Sequence, residues 1–444
     1  MKINKFLVIA IVFVFLISLA ACNGGGNSGS SSSSGGGGSS SSGGSAPATA
    51  PSSIKVGVPN PTTGDIAVYG HGSPQVEQLV LDYVNNELGG IYIEEYDTKL
   101  PIEFIYIDTE SSDTKAAEVT QQLVTNNDVN MIIARHTPQT ALPVSMMAES
   151  LQVPFIAIES PVESWYNAGP YEWGRHSFWW TDQVSDLFIG MWEELGYGPG
   201  SVIGALWADD PDGNAWSPAF ARKAPERGYT YIDPGPYKSM QSDWTSVINM
   251  FKEAGVEIIV GIPVTPDMAS FSTQAIQQGF DFDFTTTGRG TLFPASVETF
   301  PEEVIPKLHG EIFWTPWHPW ASDLTGWTSA QLGEWWETTM NEPWTQVVGY
   351  KYASAELAVD AFIRAASLEP AKIRDAIISA DINTMVGHIK YDPETQVSTI
   401  PLVGGTWDVT GHRPDGSPIA EFKVCYNKDF PEVPINREMK SKPN

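Results

Sequence analysis

Val129–Ile158 reads VNMIIARHTPQTALPVSMMAESLQVPFIAI. Val129–Ala134 is an apolar run of strand length, Thr140–Leu151 reads as a helix, and Val153–Ile158 is a second apolar run. Short, near-continuous apolar strands separated by a helix describe a βαβ unit, with parallel strands buried on both faces. The pattern extends upstream. Ile54–Val58 reads as a strand, followed by a Gly/Thr/Pro-rich loop and a helix over Pro74–Leu88. Val76, Leu79, Val80, Tyr83, Val84 and Leu88 repeat at three-to-four spacing on that helix, and Gly89-Gly90 closes it. Ile102–Ile107 is the next strand, and Asp113 is placed to cap a helix running to Asn126.

The pattern restarts after an aromatic connection. Gln183–Leu195, Ala215–Arg227, Trp244–Ala254 and Ala269–Gln278 read as helices. Ser201–Trp207, Thr230–Ile232, Glu257–Ile262 and Phe284–Thr287 read as the strands between them. The expected class is therefore α/β, with two doubly wound parallel-sheet lobes. Ligands in such sheets bind beyond the carboxyl ends of the strands, so two facing lobes make a cleft. The last third departs from the repeat. A helix is expected over Trp344–Leu368, another over Ala371–Ala380, and strands over Gly387–Asp392 and Gly404–Val409.

Composition narrows the function. At 444 residues the chain suits two domains rather than one core. A net charge of −28 repels nucleic-acid phosphates and anionic lipid surfaces. Two cysteines rule out a disulfide framework or a cysteine-based metal cluster. Seven histidines are scattered without metal-ligand spacing, so neither metal nor cofactor is expected. No Ser-His-Asp, HExxH, P-loop or Cys-x-x-Cys pattern points to catalysis. An aromatic, carboxylate-bearing cleft also describes sugar hydrolases, which keeps a carbohydrate-active enzyme as a remote alternative.

The N-terminus reads as an address and a tether. Lys2 and Lys5 precede an apolar run, Phe6–Ala21, with the layout of an export signal. Leu19-Ala20-Ala21-Cys22 resembles the lipobox of bacterial lipoproteins, which implies cleavage after Ala21 and a diacylglycerol on Cys22. Asn23–Ser45 contains only Gly, Ser and Asn, so residues 22–52 form a lipidated cysteine and a flexible tether reaching about 30 Å. Loss of Met1–Ala21, with its two lysines and no acids, takes the charge from −28 to −30. Cys425, in Phe422–Tyr426, is expected to be a buried strand residue.

Several segments together resemble the extracytoplasmic solute-binding proteins of branched-chain-amino-acid-type ABC transporters, the leucine-binding-protein-like members of the type I periplasmic-binding-protein fold. They are Ile54–Gly70 (IKVGVPNPTTGDIAVYG), Asn130–Leu142, Val153–Ala157, Asp243-Trp244-Thr245 with its helix and Ala254-Gly255, and Ile373–Asp392 (IRDAIISADINTMVGHIKYD). The resemblance covers Ile54 to Tyr426. It implies three passages between lobes, near Ser177–Asp182, Thr315–Pro319 and Met385–Gly387, forming a hinge. One lobe would then be 53–178 plus 318–386, the other 180–316 plus 387–444. It further implies a monomer, membrane-anchored outside the cytoplasm, that hands an amino acid, amide or small carboxylate to a permease and ATPase. The same fold also serves as a sensor partner for a membrane receptor.

Candidate ligand contacts follow from the loops after strands. Thr62, Thr63 and Tyr69 lie in the first loop, where the bland reading is a turn built on Pro61 and Gly64. Thr137 and Gln139 open a helix, and the resemblance makes this turn a carboxylate grip. The preceding Arg135 and His136 either add donors or pair with a local acid. Glu159 and Ser160 sit at the cleft edge, where Glu159 either binds an amino group or is a solvated loop acid. In the second lobe the candidates are Trp207, Asp209, Thr265 and Arg289. Arg289 is near the position where the family has an acid for the ammonium, so it favours a carboxylate instead. Trp317 matches a family position that lays a ring on the ligand. Of sixteen tryptophans, seven lie in residues 165–216 and seven in 314–344, flanking two expected passages, which points to an aromatic cleft and hinge.

Overall fold

The computed structural model describes residues 49–439. The export-signal run, Cys22 and the Gly/Ser stretch lie outside the described residues. Two sheets organise the rest. The first has six strands in the order Val397–Ser398, Gly174–Ser177, Phe155–Ile158, Met131–Arg135, Ile54–Asn60 and Ile102–Asp108, and every neighbouring pair is parallel. The second runs Pro418–Tyr426, Val403–His412, Leu308–Ile312, Phe284–Thr287, Ile258–Gly261, Val202–Leu206 and Thr230–Ile232. Its last five are parallel, and the Val403–His412 and Pro418–Tyr426 strands add an antiparallel edge. Burial explains the unalternating strands: Met131–Arg135, Phe155–Ile158 and Ile258–Gly261 are buried along their whole length. Cys425 is buried in the edge strand.

Local chemistry adjusts several boundaries. The helix expected at Thr140 begins at Thr137, because Pro138 tolerates the first turn. Ser112, not Asp113, caps the helix Asp113–Asn127, accepting from Lys115 N–H at 3.2 Å. Ser329–Met340 is a helix that the periodicity reading passed over.

The chain passes between the sheets three times. Gly174–Ser177 belongs to the first sheet, whereas the next helix, Thr181–Glu194, packs on the second lobe. After Leu308–Ile312 the chain returns, and the helix Val347–Ala365 packs behind the first sheet. The third passage differs from expectation. Gly387–Lys390 folds back on Asp381–Thr384 as a hairpin, with Gly387 at a positive φ of 97°. Val397–Ser398 then pairs with His176 and Ser177 in the first sheet. The passage therefore lies between Ser398 and Val403, and residues 387–398 belong to the first lobe.

One close approach ties the second passage to the long helix. A Cβ on Gly349 would lie 2.2 Å from Trp314 Cδ1, with Trp314 fully buried. Helix propensity alone makes Gly→Ala stabilising by about 1 kcal/mol. Here the overlap reverses the sign: Gly349→Ala is expected to cost about 1–3 kcal/mol. A thermal melt by circular dichroism checks it, and a melting temperature above that of the parent protein contradicts the packing.

Candidate ligand-binding cleft

The carboxyl ends of both sheets converge on one interlobe cavity of about 30 Å3. From the first lobe come Tyr69, Thr137, Glu159 and Pro161; from the second come Asp212, Trp216, Ile262, Arg289, Leu292 and Glu311. Phe178, Trp179 and Phe313, on the first two passages, complete the lining. Each position has a local reason. Thr137 is the second residue past the Met131–Arg135 strand and Glu159 the first past Phe155–Ile158, and both have positive φ, at 60° and 61°. Asp212 and Trp216 are one helical turn apart in Pro211–Glu226, so they share a face. Glu311 sits within its strand and is 1% exposed. An outer groove of about 620 Å3, lined by Asp65, Ser111 and Gln139 on one side and Asp209, Ser239 and Val264 on the other, shares Arg289 with the cavity.

Hydrogen bonding in the second lobe centres on Arg289. Its terminal nitrogens donate to Asp210 Oδ2 at 2.7 Å, Asp212 Oδ2 at 3.0 Å and the Ile262 carbonyl at 2.9 Å. Asp210 also caps the helix, accepting from Gly213 N–H at 2.9 Å. Beneath the first-lobe side lies a buried ionic cluster. Arg135 pairs with Glu77 and donates to Ser354 Oγ at 3.0 Å and Asn60 Oδ1 at 3.3 Å. Lys351 Nζ donates to the Tyr69 carbonyl, and His136 Nδ1 lies 2.8 Å from Glu159 Oε2. Several buried polar atoms of lining residues have no hydrogen-bond partner among the described residues: Thr137 Oγ1, Glu159 Oε1, Trp179 Nε1, Trp216 Nε1, Arg289 Nε and Glu311 Oε2. These atoms leave hydrogen-bonding capacity in the lining for a polar molecule.

A family model described as periplasmic binding protein matches residues 53–410. The chain belongs to the periplasmic binding protein family. Solved structures agree in fold. The leucine-binding protein LivK of Thermotoga maritima is 19% identical, covers 85% of this chain and 99% of its own, and superposes with a TM-score of 0.69. LivJ of Streptococcus pneumoniae, solved with isoleucine, is 17% identical over 84% of this chain and 99% of its own, TM-score 0.67. A solute-binding protein from Rhodopseudomonas palustris, solved with 3,4-dihydroxybenzoic acid, is 16% identical over 85% and 99%, TM-score 0.65. The architecture is that of a type I periplasmic binding protein.

Within this periplasmic binding protein the expected site residues separate into groups. Tyr69, Thr137, Glu159 and Arg289 line the cavity, and Gln139 and Asp209 line the outer groove. Ser160 is buried beside Glu159. The others are drawn elsewhere. Thr62 and Thr63 are exposed and bind Asp108, through Thr62 N–H at 2.8 Å and Thr63 Oγ1 at 2.7 Å. Trp207 is in the second-lobe core, its indole donating to Tyr231 at 2.7 Å. Thr265 donates to the Gly290 carbonyl at 3.1 Å, bracing that loop. Trp317 packs edge-on against Trp344 at 5.4 Å and lines a separate surface groove. Arg135 and His136 meet local acids, which decides between their two readings. The tryptophan concentration is mostly packing: Trp165, Trp192, Trp314 and Trp336 are buried in the core, while Trp179 and Trp216 reach the cavity. Asp212, Trp216 and Glu311 were not among the expected residues. The one-turn spacing of Asp212 and Trp216, and an acid inside an apolar strand, are the signals that mark them.

Burial sets the protonation of the cavity acids. It pushes Glu311 up to about 8, with Asp212 adding repulsion, and Glu159 up to about 7 against the pull of Lys351 and Arg135. Asp212 rises to about 6, opposed by Arg289. An acid with a raised folded-state pKa holds its proton in the fold while the unfolded chain has released it. Its contribution is therefore complete below the unfolded value and is lost as pH rises through the folded one. Glu311→Gln is expected to flatten the fall in ligand-free stability between about pH 5 and 8. Urea midpoints across that range test it; curves parallel to those of the parent protein contradict the assignment.

Proposed function

We propose that the protein is the ligand-binding component of an ABC importer, anchored by a lipid on Cys22 outside the cytoplasm. Family membership carries a solute-binding role and an extracytoplasmic location. The observation behind the finer reading is the interlobe cavity, whose lining residues from both lobes carry buried polar atoms without partners among the described residues. With its lobes parted beyond this space of about 30 Å3, the protein takes one small polar organic solute, with amino acids, amides and small carboxylates as the starting set. Closing two lobes over it excludes water, which strengthens each hydrogen bond. A monomer in this closed form docks on a membrane permease, and the attached ATPase drives transport. No chemistry on the solute is needed.

Two experiments test the reading. Ligand binding is expected to change tryptophan emission, because Trp179 and Trp216 line the cavity. Trp179→Phe with Trp216→Phe then removes most of that change; an undiminished signal places the ligand elsewhere. For the anchor, Cys22→Ser is expected to move the protein from the membrane to the soluble fraction, and retention on the membrane contradicts lipidation at that residue.

A further inference from the structure

The cavity lining carries more acid than base. Glu159, Asp212 and Glu311 face it with one cation, Arg289. That cation is already engaged, with Asp210, Asp212 and the Ile262 carbonyl on its terminal nitrogens. Below the opposite wall, Arg135 is held by Glu77 and Lys351 by the Tyr69 carbonyl. A ligand carboxylate entering here would add to the acid surplus, and of Arg289 only the Nε–H is without a partner among the described residues to meet it.

The opposite charge is well provided for. Glu159 and Glu311 are 3% and 1% exposed, and Glu159 Oε1 and Glu311 Oε2 have no hydrogen-bond partner among the described residues. Both are acceptors when ionised. Aromatic rings stand beside them. A Cβ on Gly288 would lie 3.1 Å from both Glu311 Oε1 and Trp216 Cζ2, so this carboxyl and this indole are neighbours. Trp179 meets Trp216 edge-on, with ring centroids 5.2 Å apart. A desolvated cation gains from an aromatic face as well as from a carboxylate. The free acceptors further select N–H groups over a quaternary nitrogen. The unpartnered Thr137 hydroxyl and the indole N–H groups of Trp179 and Trp216 offer donors to a neutral oxygen on the ligand.

Resting on the solute-binding reading, we infer that the cavity takes a small organic cation bearing N–H groups, an amine or amidine, in preference to a carboxylate-bearing solute. Binding is linked to protons. Glu159 faces His136, Lys351, Arg135 and Glu77, and Glu311 faces Asp212, with Arg289 and Tyr69 nearby. Burial keeps both acids partly protonated near neutrality, so an arriving cation ionises them and releases protons.

A thermal-shift panel tests this on the protein, using primary amines, amidines, quaternary ammonium salts, zwitterionic amino acids, neutral amides and carboxylates. Calorimetry of the best compound in buffers of different ionisation enthalpy follows. The expected result is a hit among amines or amidines that releases protons, with its quaternary analogue weaker by about tenfold or more. Glu311→Gln and Glu159→Gln, each with a cooperative melt, are expected to weaken it by at least about tenfold. Hits confined to zwitterions, amides or carboxylates, or proton uptake on binding, overturn the cation assignment and leave solute binding standing. No hit in any class overturns both.

Discussion

The guanidinium of Arg289 holds the second lobe's side of the cleft together. It joins the loop after Phe284–Thr287 to Asp210 and Asp212 after Val202–Leu206, and to the Ile262 carbonyl after Ile258–Gly261. The ends of these neighbouring parallel strands are thereby fixed by one side chain. Arginine suits the task because its planar fork engages several acceptors at once and keeps its charge when buried. Asp212 and Arg289 are 5% and 7% exposed in their side chains, so their attraction is little screened. Two acids on one cation leave this corner with a surplus negative charge. Glu311 then stands in that field, and Asp212 adds to the rise in its pKa that burial begins.

Backbone geometry shows what the arrangement costs. His136, Thr137, Glu159 and Arg289 all have positive φ, at 67°, 60°, 61° and 31°. Non-glycine residues in such conformations cost about 1–3 kcal/mol each, and they persist where the surroundings over-determine them. The surroundings here are fully buried parallel strands and the hydrogen bonds of their loops. Thr137 N–H donates to the Glu159 carbonyl at 3.1 Å, joining two of the four strained residues across neighbouring strand ends. Arg135, the last residue of the strand before Thr137, is locked from below by Glu77, Ser354 and Asn60. Three of the four, Thr137, Glu159 and Arg289, line the space between the lobes.

How much of this was legible in the sequence depends on the range of the interaction. The alternation of apolar strands and helices is local, and it was readable throughout both series. Tyr69, Thr137, Glu159 and Arg289 were reachable because they sit in loops just after strands, where the parallel-sheet rule puts ligands. Thr62 and Thr63 look alike in sequence to such residues, but Asp108, on the neighbouring strand, takes their donors. Nothing near them in the chain announces that partner. Trp207 likewise follows a strand, and only Tyr231 on the adjacent strand draws its indole inward. The third passage was misplaced because Gly387 signals a turn without saying whether the turn ends a hairpin or a lobe. The helix Ser329–Met340 does carry a local signal, since Thr328 and Gln331 form a capping box three residues apart.

The hinge and the cavity are one structure rather than two. Phe178 on the first passage and Phe313 on the second meet edge-on at 5.3 Å, and both pack on Tyr350 at 5.2 and 5.3 Å. Both phenylalanines also line the cavity. Phe313 is held further by Gln346, which accepts from its N–H at 2.8 Å and donates to the Glu311 carbonyl at 3.0 Å. A change of lobe angle at these passages therefore shifts the cavity wall and the backbone that carries Glu311. The reverse coupling is electrostatic. Bringing Glu159 of one lobe toward Asp212 and Glu311 of the other is unfavourable when all three are ionised, because like charges repel strongly in a low dielectric. Protons on Glu159 and Glu311 relieve that repulsion, and so does a cation placed between the lobes. Lobe angle, proton occupancy and the charge of the occupant are thus set by the same few buried carboxyls.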